Sequence, residues 1–335
     1  MVQFARTQPT RSDWLSRRAA EIAGASPYAC RMIDEDFPKS LQGVRDFAAA
    51  ATGVGQVVAH FGLEAAYFTP IYREPNVGSI DAIDADVGSK SDVEGPLLTA
   101  HRLAKFYVVS CGDALLSCCE LIRKDHPMHI GSAALARSAA EHASKAMYLT
   151  DPEIGWKARV LRTNELFKSS LQEYKSSNED GATKLIDDWQ KWRARTGPAF
   201  SGVPRQPSVG SNRALIERYF DHDVAYDELS RPTHGNATWV TLAVIQEQKG
   251  TNYTWCATLR NFRFAMDVCI AASDRLCELW GLNRDEVLHS MGEQHSVDPI
   301  SWETLSEMCD GVRSGVDHLS ANATVDSSED PQPER

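Results

Sequence analysis

Residues 97–124 read LLTAHRLAKFYVVSCGDALLSCCELIRK, with no proline and a single glycine. A strand rarely runs past ten residues, so an apolar-rich stretch of this length must be a helix. Other long segments share its character. SAALARSAAEHASKAMYLT at 132–150 is dense in alanine, the strongest helix former. DPEIGWKARVLRTNELFKSSLQEYKSS follows, with Asp151 expected as N-cap and Pro152 at the first helical position. GATKLIDDWQKWRAR predicts a shorter amphipathic helix, NRALIERYF and VAYDELS two brief ones. TNYTWCATLRNFRFAMDVCIAASDRLCELWG predicts a long one stopped at Gly281, and 283–320 holds two more. No segment alternates apolar and polar residues between hairpin signals. The chain is therefore expected to be all-α. Long helices and short connections favour an antiparallel helical bundle.

Two helices are expected before this block. One is SDWLSRRAAEIAG, capped by Ser12 and closed by Gly24. The other is SLQGVRDFAAAATGVGQVVAHFG, capped by Ser40, whose internal glycines weaken its continuity. Residues 69–96 are rich in Pro, Gly, Ser and Asp without a period, and mark a loop or linker. The resulting division is an N-terminal helical extension at 1–68, the linker 69–96, a bundle core at 97–281, C-terminal helices at 282–320 and a disordered acidic tail at 321–335.

The 335 residues are 42% hydrophobic and 24% charged, with a net charge of −11. That is the composition of an ordinary globular protein, and it argues against a broad nucleic-acid surface, which needs clustered Lys and Arg. A local basic groove is compatible with it. Eight cysteines without a paired clamp spacing read as reduced, mostly buried thiols. No apolar run is long enough to span a membrane and no signal-peptide core is visible, so a cytoplasmic location is expected.

Polar residues that could carry chemistry fall in two places. On a helix of 3.6 residues per turn, Arg137, Glu141, Ser144 and Tyr148 share one stripe beside a face of alanines. Close packing there would place Arg137 and Glu141 where water is scarce; an exposed i,i+4 pair is the alternative. Arg137 and His142 lie about 140° apart on a straight helix and do not face each other. The second place is YDELSRPTHGNATW, 226–239. Tyr226 and Ser230 share a face, and Pro232 should end or kink the helix near Ser230, leaving His234 on a bend beside Arg231. A cluster of helix caps is the simpler reading of the same residues. The histidines and acids of DHPMHIG (125–131) and DHD (221–223) lack a second ligand pair, so no metal and no cofactor is expected. No phosphate loop, nucleophile elbow or zinc-protease motif is present.

The order Arg137-x-x-x-Glu141, then Tyr226-x-x-x-Ser230-x-x-x-His234, resembles uncharacterised bacterial helical families related to the HEPN bundle. The resemblance covers roughly residues 97–281. It implies a HEPN-like bundle with a polar site to which Glu141, Tyr226 and Ser230 contribute binding groups. Two functions follow. One is a binding or assembly module with an internal polar network, in a stress or defence setting, with a partner protein or a second copy as its ligand. The other is a metal-independent endoribonuclease acting on RNA or a nucleotide. There His234 would be the acid or base, and Arg137 or Arg231 would stabilise charge on phosphate. This chain departs from the nuclease pattern: its late element holds only Arg231-x-x-His234, interrupted by Pro232.

Overall fold

The computed structural model describes residues 41–75, 77–87, 95–123, 127–174, 180–220, 225–248, 253–295 and 298–325. The expected helix at 12–24, Ser40, Cys30, His126 and the 221–223 acids lie outside them. The described chain is all-α apart from one hairpin of two-residue strands.

Four long helices enclose the main core: α1 (Leu41–Phe68), α3 (Pro96–Ile122), α4 (His129–Thr150) and α10 (Tyr253–Trp280). Gly55 of α1 lies against Cys119 of α3 and Phe262 of α10, and Gly62 lies against Val108 and Ser273. The order of these contacts shows α3 running against α1, and α10 running alongside it. The glycines that made α1 look interruptible are its packing surface. A Cβ on Gly55 would sit 2.5 Å from the Phe262 ring, so the missing side chain lets α10 approach. Thus 41–68 is no extension of the bundle. It is one of the bundle's central helices, buried along most of its length.

Nor is 69–96 a free linker. Its described part holds an antiparallel hairpin, β1 (Arg73–Glu74) with β2 (Gly78–Ser79), and a short helix, α2 (Ile80–Asp86). Glu74 turns inward, 4% exposed, and accepts a 2.6 Å hydrogen bond from Nε2 of the fully buried His101. Its other oxygen pairs with Arg159 at 3.4 Å. Asp84 accepts from the backbone N–H groups of Leu97 and Leu98, capping α3 from a distance. Burial raises the Asp84 carboxyl against those two bonds. Long-range polar contacts, invisible to local periodicity, hold this segment down.

The remaining helices are α5 (Trp156–Tyr174), α6 (Asp180–Arg195), the 3₁₀ turn η1 (Gly197–Phe200), α7 (Asn212–Phe220), α8 (Ala225–Thr233), α9 (Ala237–Gln248), α11 (Arg284–His295) and α12 (Trp302–Val325). Asp151 does not cap α5. It ends α4, accepts from the Glu153 N–H in a turn, and pairs with Arg162 at 3.1 Å. Trp189, Trp192 and Phe200 build a second core with Ile80, Leu97 and Val160. Helix α12 continues through Val325, past the expected start of the acidic tail.

Candidate functional site

Helix α4 crosses α8, and Arg137 sits at the crossing. Its Nε donates to Glu141 at 2.9 Å and its Nη2 donates to the Tyr226 hydroxyl at 2.7 Å. Its Nη1 lies 3.2 Å from His234 Nε2. The guanidinium also covers the Tyr226 ring, 4.8 Å from its centroid. A guanidinium has no acceptor, so the contact to His234 uses the imidazole lone pair on Nε2 and leaves the proton on Nδ1. Arg137 and Glu141 are 25% and 21% exposed, which places the pair between a sealed core and a free surface. His234 is exposed and forms the outer edge.

Two strands of sequence logic bring these groups together. Along α4, alanines at 136, 139, 140 and 143 are fully buried, so the helix packs closely while Arg137 and Glu141 emerge at its edge. Along α8, Tyr226, Ser230 and His234 follow the four-residue spacing of one face. Helix α8 does not stop before Pro232. It includes that proline in its last turn and ends at Thr233. The carbonyl that Pro232 leaves without its helical partner belongs to the exposed Glu228, and the Thr233 hydroxyl donates to Ser230 O at 2.8 Å. The helix then closes through Gly235, at φ +61°, with Gly235 N–H to Pro232 O and Asn236 N–H to Arg231 O. This is a Schellman closure. Asn236 immediately caps α9, its Oδ1 accepting from Trp239 N–H at 3.0 Å. His234 therefore occupies a stiff corner between two helices.

The other expected residues are placed differently. Ser230 lies beside the cluster, but its buried hydroxyl oxygen has no hydrogen-bond partner among the described residues. Arg231 is exposed and lines a separate cleft of about 520 Å³ with Trp239, Tyr253 and Arg260. His142 turns from Arg137 and lies 2.8 Å from the Ser138 carbonyl. Tyr148, farther along the Arg137 stripe, is fully buried and donates to Pro207 O at 2.6 Å. Arg263 and Asp267 join Arg313 and Asp317 in a network between α10 and α12. His129 packs its ring against Trp239, and burial lowers its pKa. Among the described residues, no three His, Cys, Asp or Glu side chains gather as a metal site requires.

Sequence reasoning passed over α9 altogether. ATWVTLAVIQEQ has neither helical nor strand periodicity, and its one start signal is Asn236. No protein-family model, curated protein or solved structure matches the chain. Among the described residues, no helix is long and apolar enough to cross a membrane.

Proposed function

We propose that the protein is a helical assembly module that pairs with a second copy of itself through α9, while the Arg137 network holds the α8–α9 corner in register. The observation behind this reading is the mismatch between the composition of α9 and its environment. An apolar helix of this kind belongs in a core. Yet Leu242 is 54% exposed, Val244 49%, and Val240 and Ile245 41% each, and only Ala243 is buried. The helix carries no Lys or Arg, so it offers nothing to nucleic acid or anionic lipid. A matching apolar helix satisfies it, and the same helix in another copy is the simplest match. The kinship with HEPN-related bundles and a cytoplasmic setting belong to this proposal. Light scattering during size exclusion tests it. The expected result is a dimer for the native chain and a monomer for Leu242→Glu combined with Ile245→Glu. A native chain that stays monomeric at about 100 μM, well above the Kd of a typical specific interface, would overturn it.

A second reading is the metal-independent ribonuclease. It is favoured by one observation: an exposed imidazole 3.2 Å from a guanidinium, the pairing that phosphodiester cleavage uses. Set against it, the Nε2 lone pair that would take a proton from a 2′-hydroxyl is engaged by Arg137. An RNA cleavage assay separates the two. Activity in the native chain that disappears in His234→Ala while the dimer persists would establish the nuclease.

A further inference from the structure

Away from the Arg137 network, α5 presents Leu161, Asn164, Glu165 and Lys168, at offsets of three, four and seven residues from the first, on one side of the helix. With Arg193 of α6, Phe200 of η1 and the segment 203–208, they enclose a pocket of about 660 Å³. That volume is within the range of small-molecule sites. Its irregular wall is tied down. The Tyr148 hydroxyl donates to Pro207 O at 2.6 Å, Arg162 Nε to Gln206 Oε1 at 2.9 Å, and Gln206 Nε2 to Pro204 O at 2.9 Å.

One wall residue also carries a buried polar atom that the protein leaves unpaired. Asn164 is 3% exposed, and its Oδ1 is buried without a partner among the described residues. Buried amide oxygens are seldom left so, and each instance asks for an explanation. The charge is unbalanced as well. Lys168 pairs with Glu165 at 2.7 Å, but Arg193 and Arg205 meet no carboxylate among the described residues. Arg193 instead covers the Phe200 ring, 5.1 Å from its centroid. Two unmatched guanidinium groups in a chain of net charge −11 are a local reversal of sign.

We propose that this pocket binds a small organic anion. A phosphate or carboxylate would lie between Arg193 and Arg205, where guanidinium forks recognise such groups. An apolar body would rest on Leu161, Phe200 and the prolines of the wall, beside Asn164. The site is separate from the Arg137 cluster and stands whether or not α9 pairs.

Calorimetric titration of the full chain tests this with three probes: adenosine 5′-monophosphate for phosphate, 4-aminobenzoate for carboxylate, and inorganic phosphate for the bare anion. Saturable binding of one organic probe, about tenfold or more tighter than inorganic phosphate, is expected, and the better probe tells the two anions apart. Arg205→Ala should weaken that binding about tenfold, the worth of one charge-assisted contact. Arg205 is exposed, so its loss leaves the fold intact. Asn164→Asp, which keeps the shape but adds a like charge, should abolish it. Absence of saturable binding by both organic probes overturns the proposal. So does equal binding of inorganic phosphate, or binding that neither substitution changes.

Discussion

Replacing Arg137 with methionine keeps an unbranched apolar stem in place and removes every polar contact at the α4–α8 crossing. The loss can be summed from the geometry. The i,i+4 pair with Glu141 is about a fifth to a quarter exposed on each side and contributes about 0.5 kcal/mol. The 2.7 Å bond to Tyr226 is charge-assisted and partly screened, about 1 kcal/mol. The 3.2 Å contact to His234 adds about 0.5 kcal/mol, and the guanidinium over the Tyr226 ring about as much again. The total is about 2 to 3 kcal/mol, against a few tenths for an ordinary surface pair. Urea denaturation measures it, and Arg137→Met combined with Tyr226→Phe closes a double-mutant cycle. The cycle should return a coupling of about 1 kcal/mol between the two residues. If Arg137→Met unfolds within about 0.5 kcal/mol of the native chain, the range of ordinary surface substitutions, the network does not hold the crossing. A coupling near zero would sink the specific Arg137–Tyr226 assignment even if the single change were costly.

Gly55→Ala should destabilise by about 1–3 kcal/mol through overpacking against Phe262, although alanine favours helix by about 1 kcal/mol; a raised urea midpoint would refute the close-approach argument. His60 is held down to about 4, mainly by burial and then by His295, against 6.5 when free. Between these values the unfolded chain binds a proton that the folded chain refuses. Stability should thus fall as pH drops from about 6.5 toward 4, by an amount on the order of 3 kcal/mol, and His60→Gln should flatten that limb of the stability–pH profile. The seven described cysteines are all buried, with burial lifting Cys118, Cys277 and Cys309 to about 12. A thiol reagent at pH 8 should leave these seven unmodified until denaturant is added, and rapid labelling of any of them in a Cys30→Ser chain would contradict their placement. Glu74→Leu should cost about 3–5 kcal/mol, because it leaves Arg159 and His101 facing an apolar side chain in a sealed site; a melt unchanged from native would show that the ionic cluster does not anchor the hairpin.

The helices themselves were largely legible. NRALIERYF marks α7 to the residue, and Gly281 closes α10 as its position suggests, because caps and periodicity are local signals. The two halves of the polar cluster were also written in spacing: four residues from Arg137 to Glu141, and four and eight from Tyr226 to Ser230 and His234. Arg231 shows the limit of that method. It sits among the same residues in sequence, but roughly 100° of helix per residue carries it to another cleft. The central place of α1 and the anchoring of Glu74 were not legible. A glycine in a helix looks like a weakness until the neighbouring helix that needs its space is known. An acid in a loop looks solvated until His101 and Arg159 arrive from other helices. Helix α9 was missed because it lacks the amphipathic contrast that periodicity detects, and that same lack is what makes its exposure informative.

The corner at His234–Gly235–Asn236 works as a short crank. One end of it is the imidazole against Arg137, and the other is the cap that sets the direction of α9, with only Gly235 between them. With the Schellman closure keeping the joint stiff, α9 cannot swing without dragging the imidazole along its guanidinium. A load applied to the apolar helix therefore bears on the Arg137 contacts that help fasten α8 to the bundle. The affinity of whatever grips α9 and the strength of the Arg137 contact are then two readings of a single mechanical coordinate, and a change made at either end should be measurable at the other.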